Sequence, residues 1–220
     1  MMDHAIVPHW FLGYNILLEL LFFAITLIVA VYALKVYQLS GHKQSKLFGI
    51  TFLMISAAYL IQSVLNIVAS YSTDICCDMQ PISPMPAYSL AGIYVHILLY
   101  ASGLVTLAYM TLKLKDLKAY FLFMVVALTA LLVSSNPLFF FYVISTILLI
   151  YVSFYYLKNY LDTKKSNALV VFIAFLFLMF AKIHFIFSID HGTYYVAGHL
   201  LEFVAYVLIL VNLLMVIRRK

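Results

Sequence analysis

Apolar residues in this chain form long unbroken runs rather than narrow stripes. Seven runs stand out, over about 11–34, 47–70, 88–112, 119–135, 137–157, 168–189 and 193–216. A helix needs roughly 20 apolar residues to cross a hydrocarbon core about 30 Å thick, and the fourth run lies at the short limit of that range. The runs are continuous, which excludes the alternating segments of about ten residues that build a membrane barrel. The pattern predicts an all-α integral membrane protein with seven transmembrane helices in one domain, residues 1–220. Gly41 reads as a turn, and Asn136–Pro137 as a helix start with proline in the first turn. The first run has no Lys or Arg before it and is long for a leader, so a retained helix is expected.

Composition narrows the class further. Hydrophobic residues make up 66% and charged residues 10%, with a mean hydropathy of +1.09. A soluble domain is close to half apolar and about a quarter charged. Soluble globular, disordered and DNA-binding classes are excluded. Two cysteines cannot form a disulfide scaffold. The net charge of +5 is unevenly placed. Lys35, Lys43, Lys46, Lys113, Lys115, Lys118, Lys158, Lys164, Lys165, Arg218, Arg219 and Lys220 all fall in alternate loops and the tail. The other loops and the N-terminus hold Asp3, Asp74, Asp78 and Asp190 instead. The positive-inside rule then predicts the N-terminus outside and the C-terminus cytoplasmic. Anionic lipid accounts for the basic balance, and no nucleic-acid partner is expected. The expected location is the plasma membrane, as a multi-pass protein.

Helices 1–2 align with helices 5–6 at a shift of 123 residues. Tyr32, Leu34, Lys35 and Tyr37 fall on Tyr155, Leu157, Lys158 and Tyr160; Phe52, Leu53 and Ala58 fall on Phe175, Leu176 and Ala181. A shift of 103 places His96 on His199. These matches predict a parallel three-helix repeat, helices 1–3 and 5–7, with helix 4 as the link. Such an arrangement resembles the superfamily of rhodopsins and SWEET sugar transporters, and it is similar to the seven-helix input domains of prokaryotic sensor kinases. Helix 7 has no Lys for retinal, and no Pro-Gln pair marks the transporter branch. No kinase or cyclase domain is expected beyond Lys220, which leaves output to a cytoplasmic or membrane signalling partner.

Ionisable residues are costly inside a bilayer and mark sites or pathways. At 1.5 Å per residue, Glu19, His96, Lys182, His184, His199 and Glu202 all lie roughly 8–14 Å from the outer helix ends. Helical spacing aligns Asn15, Glu19 and Thr26 on helix 1, and Tyr59, Gln62 and Asn66 on helix 2. Gly92, His96, Tyr100 and Gly103 share a face of helix 3, and Tyr195, His199, Glu202 and Tyr206 a face of helix 7. Lys182 and His184 point to opposite sides of helix 6, so only one can face the centre. These stripes predict a polar pocket open to the outside, with Glu19, Gln62, Asn66, His96, Tyr100, Lys182, His199 and Glu202 as its ligand-binding residues.

The chemistry of that set stays open at this level. Two carboxylates and one ammonium favour a bound proton or cation. Protonated Glu202 hydrogen-bonded to His199 is one expected resting state, and a structural Glu19–Lys182 ion pair between helices 1 and 6 is another expectation. A pocket with little polar content beyond it fits a binding protein that senses a small ligand. Parallel repeats fit a proton- or cation-coupled transporter. His96 and His199 could serve as axial haem ligands. His96, His199 and Glu202 could instead be the metal residues themselves, or His96, His199 and His184 could hold zinc with Glu202 as base. That arrangement resembles the seven-helix zinc hydrolases of the adiponectin-receptor and ceramidase type, without their helix-7 His-x-x-x-His motif. In the loop 72–88, Cys76, Cys77, Met79 and Met85 offer sulfur suited to Cu(I), and Pro81, Pro84 and Pro86 favour an extended chain that could form a lid.

Overall fold

The computed structural model describes residues 9–75, 87–112, 116–188 and 191–218. These residues form seven α-helices and no strand. After a 3-10 turn at His9–Phe11 come α1 (Leu12–Ser40), α2 (Lys43–Ile75), α3 (Ala87–Leu112), α4 (Leu117–Val133), α5 (Pro137–Thr163), α6 (Ser166–Phe187) and α7 (Gly192–Arg218). All but α4 are long and apolar enough to cross a membrane. The sulfur- and proline-bearing positions Cys76, Cys77, Met79, Pro81, Pro84, Met85 and Pro86 lie outside the described residues, as do Lys113, Lys115, Arg219 and Lys220.

Helix ends follow local chemistry more than the apolar band. α1 continues past the apolar run and stops at Gly41, whose left-handed backbone (φ 68°) turns its N–H onto the Tyr37 carbonyl. Lys164 ends α5 in the same conformation, with its N–H on the Tyr160 carbonyl. Asn136 caps α5 by accepting from the Phe139 N–H, with Pro137 in the first turn as predicted. Asp116 caps α4 by accepting from the Lys118 N–H.

Consecutive helices pack as α1–α2–α3 and α5–α6–α7. α3 also meets α5, and α7 returns to α1. Six helices thus close a ring, and α4 sits outside it against α3 and α5. α3, with neighbours on three sides, is buried without interruption from Ala101 to Thr111. The core runs through Phe22, Tyr59, Tyr100, Leu104, Phe175 and Tyr206. Large apolar side chains also cover the outside, among them Phe121, Val125, Ile147 and Phe154. Helices apolar on every side are stable only where the surrounding medium is itself apolar. The fold is that of a helical multi-pass membrane protein.

Close approach depends on small residues. A Cβ added at Gly198 would lie 2.6 Å from the Phe185 ring, and one at Gly103 would lie 3.1 Å from the Thr51 carbonyl oxygen. Gly13 has nothing within 4 Å of that position. Gly198→Ala is therefore expected to lower stability by about 1–3 kcal/mol through overpacking. Gly13→Ala is expected to leave it unchanged or slightly raised. Thermal unfolding of the two variants in one detergent checks both.

Candidate functional site

The inward face of α7 carries Tyr195, His199, Glu202 and Tyr206, successive turns of one stripe. The inward face of α6 carries Leu178, Ala181, Lys182 and Phe185. Because α6 and α7 are neighbours, Lys182 reaches Glu202, with Nζ 2.5 Å from Oε1. Tyr59 of α2 donates its hydroxyl to the same oxygen at 3.1 Å. The Tyr59 and Tyr206 hydroxyls are 3.0 Å apart, and those of Tyr206 and Tyr100 are 3.3 Å apart. Lys182 Nζ also stands 4.3 Å from the Tyr100 ring centroid, 5.2 Å from that of Phe185 and 5.7 Å from that of Phe141. The ammonium thus has one anionic partner and aromatic faces around it.

Glu19 is held differently. Asn15, one turn earlier on α1, donates Nδ2 to Oε1 at 3.0 Å. Asn66 of α2 donates Nδ2 to Oε1 at 2.9 Å and to Oε2 at 2.8 Å. Tyr195 donates its hydroxyl to Asn15 Oδ1 at 3.1 Å, tying this group to α7. The expected Glu19–Lys182 pair does not form. α1 and α6 are not neighbours in the ring, so the lysine meets the carboxylate of α7 first.

His199 lies between these two groups. Its ring meets Tyr195 at 4.5 Å, Phe185 at 5.0 Å, Phe11 at 6.0 Å and Phe22 at 6.3 Å. Neither ring nitrogen has a hydrogen-bond partner among the described residues. Nδ1 is 3.7 Å from Glu202 Oε2, outside bonding distance, so the expected His199–Glu202 hydrogen bond is not made. His96 is half-buried on α3, with Nδ1 2.9 Å from the Ala58 carbonyl oxygen. Gln62 is half-buried and makes no hydrogen bond among the described residues. His184 turns away from the centre and places Nδ1 2.8 Å from the Phe180 carbonyl oxygen.

The expected open pocket is closed. Glu202 is 1% exposed, Glu19 2%, Lys182 3% and His199 6%. Phe11, Phe185 and Tyr195, with Ala181, form an apolar cluster at this end of the bundle. The zinc set and the haem pair do not fit either. Among the described residues no three His, Cys, Asp or Glu side chains gather around a metal position. His96 is turned onto the Ala58 carbonyl and Glu202 onto Lys182 and Tyr59, so His96 does not join His199 and Glu202. Ring contacts run from His96 to Tyr59, from Tyr59 to Phe22 and from Phe22 to His199, so aromatic side chains fill the region where a cofactor would have to sit.

Helical spacing points to several partners that composition hides. Asn15 stands four residues before Glu19, and Tyr206 four after Glu202. Phe141 and Phe185, which face the ammonium, give no such signal, since phenylalanine is common throughout the chain. A cavity of about 470 Å³ lies elsewhere, between α3, α4 and α5, lined by apolar groups including Val105, Ala108, Phe123 and Ala127.

No family model, no curated protein and no solved structure matches this chain. The site's own geometry therefore carries the functional reading. Removing one member of a buried ion pair strands the other, at a cost of about 3–5 kcal/mol. Lys182→Met is expected to lose stability of that order, and Lys182→Met with Glu202→Leu to regain most of it. Unfolding midpoints of the single and double variants in detergent measure the difference.

Proposed function

We propose that this protein binds a small cation or cationic ligand at its buried polar centre and reports the event by a rearrangement of helices. The observation that carries this reading is the reach of one carboxylate. Glu202 on α7 holds Lys182 of α6 and Tyr59 of α2, and the connected hydroxyls extend to Tyr100 of α3. A ligand that competes for Glu202 alters the packing of four helices at once. Displacing Lys182 from Glu202 would give the centre a second arrangement, the requirement for a ligand to shift a population. The reading takes the N-terminus as outside, the three-helix sets as a parallel repeat and the membrane as the plasma membrane. It places a signalling partner against the basic face that includes Lys43, Lys118, Lys158 and Lys165, all exposed.

A transport reading rests on a separate observation. Thr51, Ser145 and Ser153 have buried hydroxyls without partners among the described residues, spread along α2 and α5. Polar groups of this kind fit a path for a proton or ion.

Trp10 is the single tryptophan of the chain and adjoins Phe11, whose ring meets that of His199. Its emission therefore reports on the centre. Protein in lipid nanodiscs would be titrated with protons, sodium, potassium, magnesium and small organic ammonium ions at constant ionic strength. A saturable change with one of these, abolished by Glu202→Gln, is the expected result. No change with any of them, or the same change in the variant, overturns the reading. Ion flux into liposomes would move the assignment to transport.

A further inference from the structure

Glu202 uses its two oxygens unequally. Oε1 takes both the Lys182 ammonium and the Tyr59 hydroxyl. Oε2 receives no hydrogen bond among the described residues and faces His199 Nδ1 at 3.7 Å. The imidazole is itself buried, with both nitrogens unpartnered. A buried polar atom without a partner is costly, and native structures rarely leave one without a reason. Here both such atoms belong to His199, and its Nδ1 stands beside the Glu202 oxygen that takes no hydrogen bond among the described residues.

We propose that Glu202 Oε2 and His199 Nδ1 form the docking position for a primary alkylammonium group, with Lys182 on Oε1 as its built-in competitor. This deepens the proposed function by naming the ligand class, and it rests on that reading. The acceptor pair calls for a donor with more than one N–H, and the carboxylate calls for positive charge. A primary ammonium supplies both. The surroundings select against an inorganic ion. Calcium and magnesium take six or more oxygen ligands, whereas the rings of Tyr195, Phe185, Phe11 and Phe22 surround the imidazole. Aromatic faces offer no lone pair to a metal but attract an organic cation. The protein already shows this preference a few ångströms away, where the ammonium of Lys182 sits on the same carboxylate beneath the Tyr100 ring.

Access lies at the start of α1. Phe11 covers His199 and Tyr195 from the 3-10 turn, and α1 has no side-chain cap to fix that turn. Movement of this turn would uncover the acceptor pair without breaking the ring of helices.

The test compares n-propylammonium with tetramethylammonium and sodium, on full-length protein in nanodiscs at fixed pH and ionic strength. Trp10 emission and the unfolding midpoint are both read. A saturable response to n-propylammonium is expected, at least tenfold weaker with tetramethylammonium, which has no N–H. His199→Phe keeps a ring in place and removes the acceptor, and is expected to weaken binding at least tenfold. Lys182→Met removes the competitor and is expected to tighten it. Should that variant fail to fold, the His199→Phe comparison carries the test alone. Equal responses to the two organic cations, or unchanged affinity in His199→Phe, overturn the proposal. A response to sodium alone overturns it while leaving cation binding intact. Silence toward all three and toward protons removes both this inference and the reading beneath it.

Discussion

An ionised carboxylate inside a lipid bilayer must find its counterpart within the protein, because no water is there to supply one. Much of the centre of this bundle follows from how Glu202 meets that demand. The charge is matched by Lys182 at 2.5 Å, and the remaining positive field of the ammonium falls on the Tyr100, Phe141 and Phe185 rings. The tyrosine hydroxyls then turn toward the carboxylate and toward one another. The register of α6 against α7 is fixed at this level, since a slide by one turn would carry the ammonium away from its anion.

Glu19 is satisfied by another route. Two asparagine side chains bring N–H groups to its oxygens, and a tyrosine steadies one of them. Amide N–H groups satisfy the Glu19 oxygens without bringing an opposite charge, whereas the Lys182 ammonium brings one to Glu202. The two carboxylates thus differ in what a new cation would encounter. One offers an acceptor already surrounded by dipoles, the other an acceptor already claimed by a rival charge. His199 adjoins the latter, with Nδ1 3.7 Å from its second oxygen.

Legibility in the sequence divided along the same physical line. The spans were readable because an apolar medium imposes its signature on every residue that touches it, and all seven helices occupy the predicted runs. Their ends ran further, as α2 does from Lys43 to Ile75, because backbone hydrogen bonding continues where hydropathy has already fallen. The inward stripes were readable from helical spacing, and Glu19, Asn66, Lys182, His199 and Glu202 do meet in the interior. Partner choice was not readable. Whether Lys182 meets Glu19 or Glu202 depends on which helices adjoin in the closed ring, a property of the whole chain. The closing of the centre by Phe11 was hidden for a similar reason, since the residue precedes α1 and owes its position to contacts with α7.

The place of α4 outside the ring has a consequence for the lipid around it. Its 17 residues rise about 26 Å, whereas the 29 residues of α1 rise about 44 Å. The hydrocarbon core is about 30 Å thick, so α1 is long enough to cross it with some tilt, whereas α4 falls short of it. Only Leu131 of α4 is buried, so this helix presents most of its surface to the acyl chains. The bundle therefore meets the bilayer with unequal apolar heights around its circumference. Thinner lipid is favoured on the α4 flank, and membrane thickness becomes a force that acts on one side of the protein and spares the other.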